Sequence, residues 1–331
     1  MRSCENRLFC LGLALIDRIG EVSESPKEES REHFLNVSRE IKPNYGGVVP
    51  NVLVAFEAID AGRSKARLFA CVGNDKEGTG YQKELSSRLG KLQVSTAKPT
   101  GTHFYLKVPS GDYFWRVFPE AAEDFIFDRE QKQEIEYKEG AYFLTDINAY
   151  RVQGLPFQIS QALKVIEIHK GEFMLNLAGI TGLTNQEIKA LFASMPVSPQ
   201  IIFGNKFEFN KIRNVSLDNL IISNALLSVK TLGEKGSIVR FSGEEIFIPP
   251  VFVPPKDILN EIGCGDSYMG AFLSQLLRYS SKEWDLEIME EAAKFSSYVA
   301  AETLKTSEPR LGRKRLQRIF EEYSSHKSNL S

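Results

Sequence analysis

Residues 260–272 read Asn260-Glu261-Ile262-Gly263-Cys264-Gly265-Asp266-Ser267-Tyr268-Met269-Gly270-Ala271-Phe272. Gly263 and Gly265 bracket one small residue just before a helical apolar stripe of Met269, Phe272, Leu273, Leu276 and Leu277. Glycine lets the backbone approach a ligand closely, and a helix N-terminus offers free amide donors and a dipole that favours an anion. An acid in that first turn would repel phosphate, so Asp266 is not the phosphate binder. It suits a base that takes a proton from a hydroxyl attacking beside developing phosphoryl charge. The plainer reading of Asp266 is a helix-end acid favoured by the dipole.

Upstream, strand and helix signals alternate. Residues 7–16 form a continuous apolar run, expected as a strand buried on both faces, with Asp17 closing its C-terminal edge. Val52, Ala55, Phe56 and Ile59 make a helical stripe between Gly46-Gly47 and Gly62, with Asn51 at the N-cap position. Further strands are expected at 68–72, 141–144, 173–177 and 200–203, and helices at 77–89, 153–169 and 185–195. Two hairpins are expected, one about Ser110-Gly111-Asp112 and one about residues 233–236. This order implies crossover connections, a mostly parallel sheet and helices on both faces. The end of the chain after Tyr323 is expected to fray.

Composition narrows the function. The chain has 331 residues, 42% hydrophobic and 25% charged, enough for one large α/β domain or two ordinary ones. A formal net charge of -2 removes the basic excess that nucleic-acid binding needs. The basic stretch from Arg310 to Lys314 reads as a solvated helix face. Cys4, Cys10, Cys71 and Cys264 show no metal-ligand spacing and fit a reducing cytoplasmic setting. Glu5 lies where a signal peptide would be basic, and no apolar run is long enough for a membrane span.

Several short patterns now fall in one order: Asp17 after the first apolar run, Gly46-Gly47-Val48-Val49-Pro50-Asn51, Val72-Gly73-Asn74-Asp75 through Gly78, Asn205-Lys206-Phe207-Glu208, Thr231-Leu232-Gly233-Glu234-Lys235-Gly236, and residues 260–266. Together they resemble the ribokinase/PfkB carbohydrate kinases, over nearly the whole chain. The resemblance implies a single ribokinase-like α/β/α domain over residues 1–331, three-layered, with a mostly parallel central sheet. It also implies a small β-lid from two segments near 22–45 and 98–118, and ATP-dependent phosphorylation of a sugar or sugar-like hydroxyl. Asp17, Gly46, Gly47 and Asn51 would hold the acceptor. Asn205, Thr231, Gly233 and Gly236 would contact ATP, and Glu208 would help place Mg²⁺. The amides of Gly263, Cys264 and Gly265 would stabilise phosphoryl charge while Asp266 acts as base. Asp75 is expected to be structural. Phe104, Phe114, Trp115 and Phe118 are expected in the lid core, with a ligand stack or a homodimer through the lid as alternatives.

This chain departs from the pattern at Asn260 and Glu261, where the family has Asp and Thr. In the family that acid helps organise a loop for a monovalent cation, so the neutral amide stands against K⁺ activation. Leu13 replaces a polar residue four positions before Asp17, which favours a sugar over a nucleoside. The alternatives are a nucleoside kinase and a catalytically impaired, ligand-binding member of the fold.

Overall fold

A computed structural model describes residues 7–21, 42–85, 89–108, 110, 113–136, 141–308 and 310–328. Fourteen strands occur among these residues: β1 (Arg7–Leu11), β2 (Leu15–Glu21), β3 (Lys42–Gly46), β4 (Lys65–Phe69), β5 (Cys71–Gly73), β6 (Gln93–Ser95), β7 (Gly101–Lys107), β8 (Tyr113–Phe118), β9 (Ala141–Asp146), β10 (Glu172–Asn176), β11 (Ile201–Asn205), β12 (Leu227–Thr231), β13 (Ser237–Phe241) and β14 (Glu244–Ile248). The α-helices are α1 (Val48–Asp60), α2 (Lys76–Glu84), α3 (Arg129–Glu136), α4 (Ile147–Tyr150), α5 (Leu155–Ile168), α6 (Asn185–Ser194), α7 (Lys206–Asn214), α8 (Asp218–Ile221), α9 (Cys264–Leu276), α10 (Leu286–Leu304) and α11 (Arg313–Ser328).

Eight strands form the central sheet in the order β14-β13-β12-β11-β10-β9-β1-β4. It is parallel from β4 to β12 and antiparallel at β13 and β14, where the expected hairpin closes through Gly233 and Gly236. Side chains alternate across it. Leu8 and Cys10 of β1 pack with Val52, Phe56, Phe272 and Met289 on one face, while Phe9 and Leu11 pack with Ile159, Leu163 and Ile212 on the other. Helices therefore cover both faces of the sheet, giving three layers. A third cluster joins α1, α10 and α11 through Ile59, Phe295, Val299, Leu316 and Ile319.

The apolar run 7–16 divides instead of making one strand. Gly12 N–H donates to Phe69 O (3.3 Å), and the chain then leaves the central sheet over Val49, where a Cβ at Gly12 would lie 2.5 Å from the valine Cβ. Leu15–Glu21 joins a second sheet of order β3-β2-β7-β8, so Asp17 sits within a strand of that sheet and not at the edge of the first. The expected segments 22–45 and 98–118 overlap this sheet in part; residues 22–41, 109, 111 and 112 lie outside the described ones. Asn51 is likewise not a cap. The N-cap of α1 is Gly47, at φ 103°, and Asn51 N–H donates to Gly47 O (3.0 Å). Pro50 fits because the first helical turn needs no intrahelical donor there.

Other short patterns prove to be turns that set these sheets in place. Asp75 caps α2 through Gly78 N–H (2.6 Å) and accepts from the Thr100 amide and hydroxyl (2.7 Å each), fixing the start of β7. The basic stretch near residue 310 is paired, with Arg310 on Glu84, Arg313 on Glu57 and Arg315 on Glu302. Helix α11 continues to Ser328, past the expected fraying point.

Candidate active site

The C-terminal ends of the parallel strands meet the N-termini of α1 and α9, and the second sheet stands opposite. Ligands of open α/β sheets bind at this edge. Its centre is Asp266, in the first turn of α9. Gly263 caps the helix at φ 81° with no side-chain cap bond, so the opening amides are not satisfied by a capping side chain. A Cβ at Gly265 would meet nothing within 4 Å, which leaves open space beside these donors. Asn51 Nδ2 donates to Asp266 Oδ2 (3.0 Å). That contact is set by close helix packing, because a Cβ at Gly270 of α9 would lie 2.4 Å from Val52 O of α1.

Three other acids bear on Asp266 here. The Asp266 carboxyl is pushed up to about 8: burial is the largest cause, the Asn51 bond opposes it, and Asp17, Asp146 and Glu208 add negative charge. Asp146 ends β9, is 1% exposed, and caps α4 by accepting from Ala149 N–H (3.0 Å). Burial pushes it up to about 7, against bonds from the Ala149 and Asn148 amides. Asp17 is buried with His103 Nδ1 3.2 Å from Oδ1, within hydrogen-bond reach. Gly46 packs on the same carboxylate: a Cβ there would lie 1.8 Å from Asp17 Oδ2. The Tyr81 hydroxyl donates to Gly46 O and holds the glycine from behind. A Cβ at Gly47 would meet Leu13 O at 2.0 Å.

A cleft of about 230 Å³ opens between the sheets. Leu15, His103, Tyr105, Trp115 and Val117 line its wall on the second sheet, and Asp146, Asn148 and Thr181 line the opposite side. The β7–β8 register pairs Tyr105 with Trp115 and His103 with Val117, so these four share one face. Phe104 and Phe118, in edge contact at 6.0 Å, lie with Phe114 on the other face.

The nucleotide side is less enclosed. Asn205 ends β11 beside Thr231 of β12, whose hydroxyl donates to Gly204 O (3.5 Å). At Gly233, where φ is 66°, a Cβ would meet nothing within 4 Å, whereas at Gly236 it would lie 2.1 Å from Ile248 O. Asn205 and Glu208 form a capping box. Asn205 Oδ1 accepts from the amides of Phe207 (2.9 Å) and Glu208 (3.1 Å), and Glu208 Oε2 accepts from Asn205 N–H (2.7 Å). Burial raises the Glu208 carboxyl against that bond. No group of three or more His, Cys, Asp or Glu forms a metal cluster among the described residues. One buried carboxylate still fits Mg²⁺, which keeps several waters and draws its remaining ligands from phosphates.

A K⁺ site fits poorly. Asn260 Oδ1 already accepts from Ile262 N–H (3.0 Å), and its buried Nδ2 is an unpartnered donor. Leu304 O, across the loop, accepts from Leu259 N–H (2.8 Å) and Asn260 N–H (3.3 Å). Hard cations need oxygen acceptors, and the Asn260 side chain offers a spare donor instead. The Cys264 thiol is pushed up to about 12, by burial first and then by Glu261 and Asp266, so it stays protonated.

A family model described as pfkB family carbohydrate kinase matches residues 5–314. The chain belongs to that family. The pfkB-family chain has no match among curated protein sequences. Among solved structures it is similar to a ribokinase from Giardia lamblia, with TM-score 0.74, 16% identity, and coverage of 97% of this chain and 99% of that one. It is also similar to an adenosine kinase from Sinorhizobium meliloti, with TM-score 0.72, 17% identity, and coverage of 95% and 99%. An aminoimidazole riboside kinase from Salmonella enterica, solved with aminoimidazole riboside and an ATP analog, gives TM-score 0.71 at 14% identity, covering 95% and 99%. These likenesses establish a ribokinase-like fold for the pfkB-family chain.

The sequence patterns named Asp17, Gly46, Gly47, Asn51 and Asp266, and the structure brings these together. Asp146, His103, Asn148 and Thr181 were not signalled. Asp146 closes a strand beside a helix start, as Asp17 was expected to do, and that edge position was the available clue.

Proposed function

We propose that the chain transfers the γ-phosphoryl group of ATP to a hydroxyl of a sugar or sugar-like molecule held in the cleft between the two sheets. The observation that carries this reading is Asp266, a half-buried acid with a raised pKa, beside amides that no side chain caps and open space at Gly265. A carboxylate with a pKa near the working pH is suited to accept a hydroxyl proton as the oxygen attacks. Asn51 holds one carboxylate oxygen and so orients the other.

Asp17, with the Gly46 and Gly47 backbone, holds the acceptor hydroxyls on the side nearest Asp266. The amides opening α9 face charge that develops on the transferring group, and donors fixed in advance do not need to reorganise. Mg²⁺, when bound, neutralises phosphate charge, and Glu208 positions it through water. Asn205, Thr231 and Gly233 border the nucleotide. The second sheet serves as a lid that keeps out water, the competing acceptor. Its outer face exposes Phe114 and Phe118, which supports self-association through the lid.

The test is ADP release with Mg²⁺-ATP across pentoses, hexoses and nucleosides. Acceptor-dependent turnover should fall about 10²–10⁴-fold in Asp266→Asn. Turnover unchanged in that variant removes Asp266 as the base. A nucleoside acceptor is the second reading, favoured by the aromatic surfaces of Tyr105 and Trp115 in the cleft.

A further inference from the structure

The cleft also carries a charge and size pattern that the kinase reading does not require. We propose that it accepts a single-ring polyol that is uncharged or bears an amine, and that it rejects carboxylated and phosphorylated sugars. This inference rests on the cleft being the acceptor site.

Charge is the first argument. Among the described residues lining the cleft there is no lysine or arginine, while Asp146 lies on its wall and Asp17 touches the lining residue His103; both acids act electrostatically on Asp266. His103 is the basic side chain on the lining, with Nδ1 against Asp17, and the Arg151 guanidinium stays at the rim, where it donates to Gly179 O (3.4 Å). An anionic acceptor would shed its hydration and meet acidic side chains, holding their protons on more tightly, with no lysine or arginine on the cleft lining to compensate. An ammonium group would instead find Asp146, and neutral hydroxyls would find Asp146, Asn148 and Thr181 as hydrogen-bonding partners.

Size is the second argument. At about 230 Å³ the cleft is smaller than the roughly 300–1,000 Å³ that encloses drug-sized ligands. That room suits one hydroxylated ring with a face against Trp115 and Tyr105, and is short for a ring plus a nucleobase. Rejection of anions is negative selection by unpaired charge, which discriminates more strongly than a missing attractive contact.

The experiment is calorimetric binding without ATP, so that it reads the cleft and not phosphoryl transfer. The probes are ribose, fructose, glucose, glucosamine, adenosine, gluconate and fructose 6-phosphate. At least one neutral or amino sugar should bind about 30-fold or more tightly than gluconate, fructose 6-phosphate and adenosine. Thr181→Lys places a cation at the exposed rim and should shrink the neutral-to-acid ratio about tenfold. Asp146→Asn keeps a capping side chain and should abolish any preference for glucosamine over glucose. An anionic sugar or adenosine binding as tightly as the best neutral sugar overturns the proposal, as does failure of every neutral and amino sugar to bind. Binding in the expected order without ADP release in the kinase assay would instead overturn the kinase reading alone.

Discussion

Asn51 and Asp266, 215 residues apart, are joined by a 3.0 Å hydrogen bond from the asparagine amide to the carboxylate. The bond spans two helices that touch where Gly270 meets the Val52 carbonyl and the Ala55 methyl. The same contact that buries the core thus aims the acid. Because the bond favours the ionised carboxylate, removing it should raise the Asp266 pKa further. Asn51→Ala should therefore move the rising limb of the kcat/KM pH profile upward by about one unit, with a lower rate at pH 7. A pH profile of the variant that superimposes on the native one would show that the bond does not tune the base.

Asp266 should also make stability depend on pH in a defined direction. Its folded pKa of about 8 lies above the ordinary value of 3.8, so the folded state holds the proton more tightly. That stabilisation is complete below about pH 4 and is lost as pH rises through about 8; Asp146, at about 7, acts with the same sign. Asp266→Asn should be more stable than the native chain by at least ~1 kcal/mol at pH 8.5, with the gap closing at pH 5. Urea unfolding at the two pH values measures it. A variant less stable at pH 8.5 would mean that the ionised acid gains more from its contacts than burial costs it.

The fold was legible where a signal is local. The glycine turn before α9, the hairpin at residues 233–236 and the Asn205–Glu208 spacing each encode a conformation within a few residues. The break between β1 and β2 was hidden for a physical reason: both halves of residues 7–16 are buried, so leaving one sheet for another does not change the apolar pattern. The stripe beginning at Val52 put Asn51 at the cap, yet proline is accepted in a first turn, so the helix starts at Val48 and Asn51 lies inside it. His103 gave no signal because its role comes from tertiary placement, and Asp146 gave only its position at a strand end. Of the aromatic set, strand alternation sends Trp115 toward the cleft and Phe104, Phe114 and Phe118 away from it.

The donor left unpartnered at Asn260 leads to an expectation about ions. Replacing Na⁺ by K⁺ at about 100 mM, with ionic strength and hence screening held constant, should change neither turnover nor Tm beyond error. Asn260→Asp supplies acceptors where the native chain has Nδ2, and should gain a Tm that rises with K⁺. A K⁺-dependent Tm in the native chain would show that backbone oxygens make the site without the side chain.

Two glycines separate the acceptor side from the nucleotide side. At Gly46 a methyl would collide with Asp17, so Gly46→Ala must displace that carboxylate. The acceptor KM should rise at least about tenfold, with the ATP KM nearly unchanged. At Gly265 a methyl meets no protein atom, and the residue lies within α9. Gly265→Ala should therefore fold, with stability unchanged or raised by about 0.4–1 kcal/mol through the unfolded chain. The methyl would occupy the space beside the helix amides, so turnover should fall and the ATP KM should rise. Steady-state kinetics on both variants, with Tm alongside, give the test. If Gly265→Ala turned over normally, phosphate would not approach α9 at this point, and the amides of Gly263 and Cys264 could not act as the charge-stabilising donors.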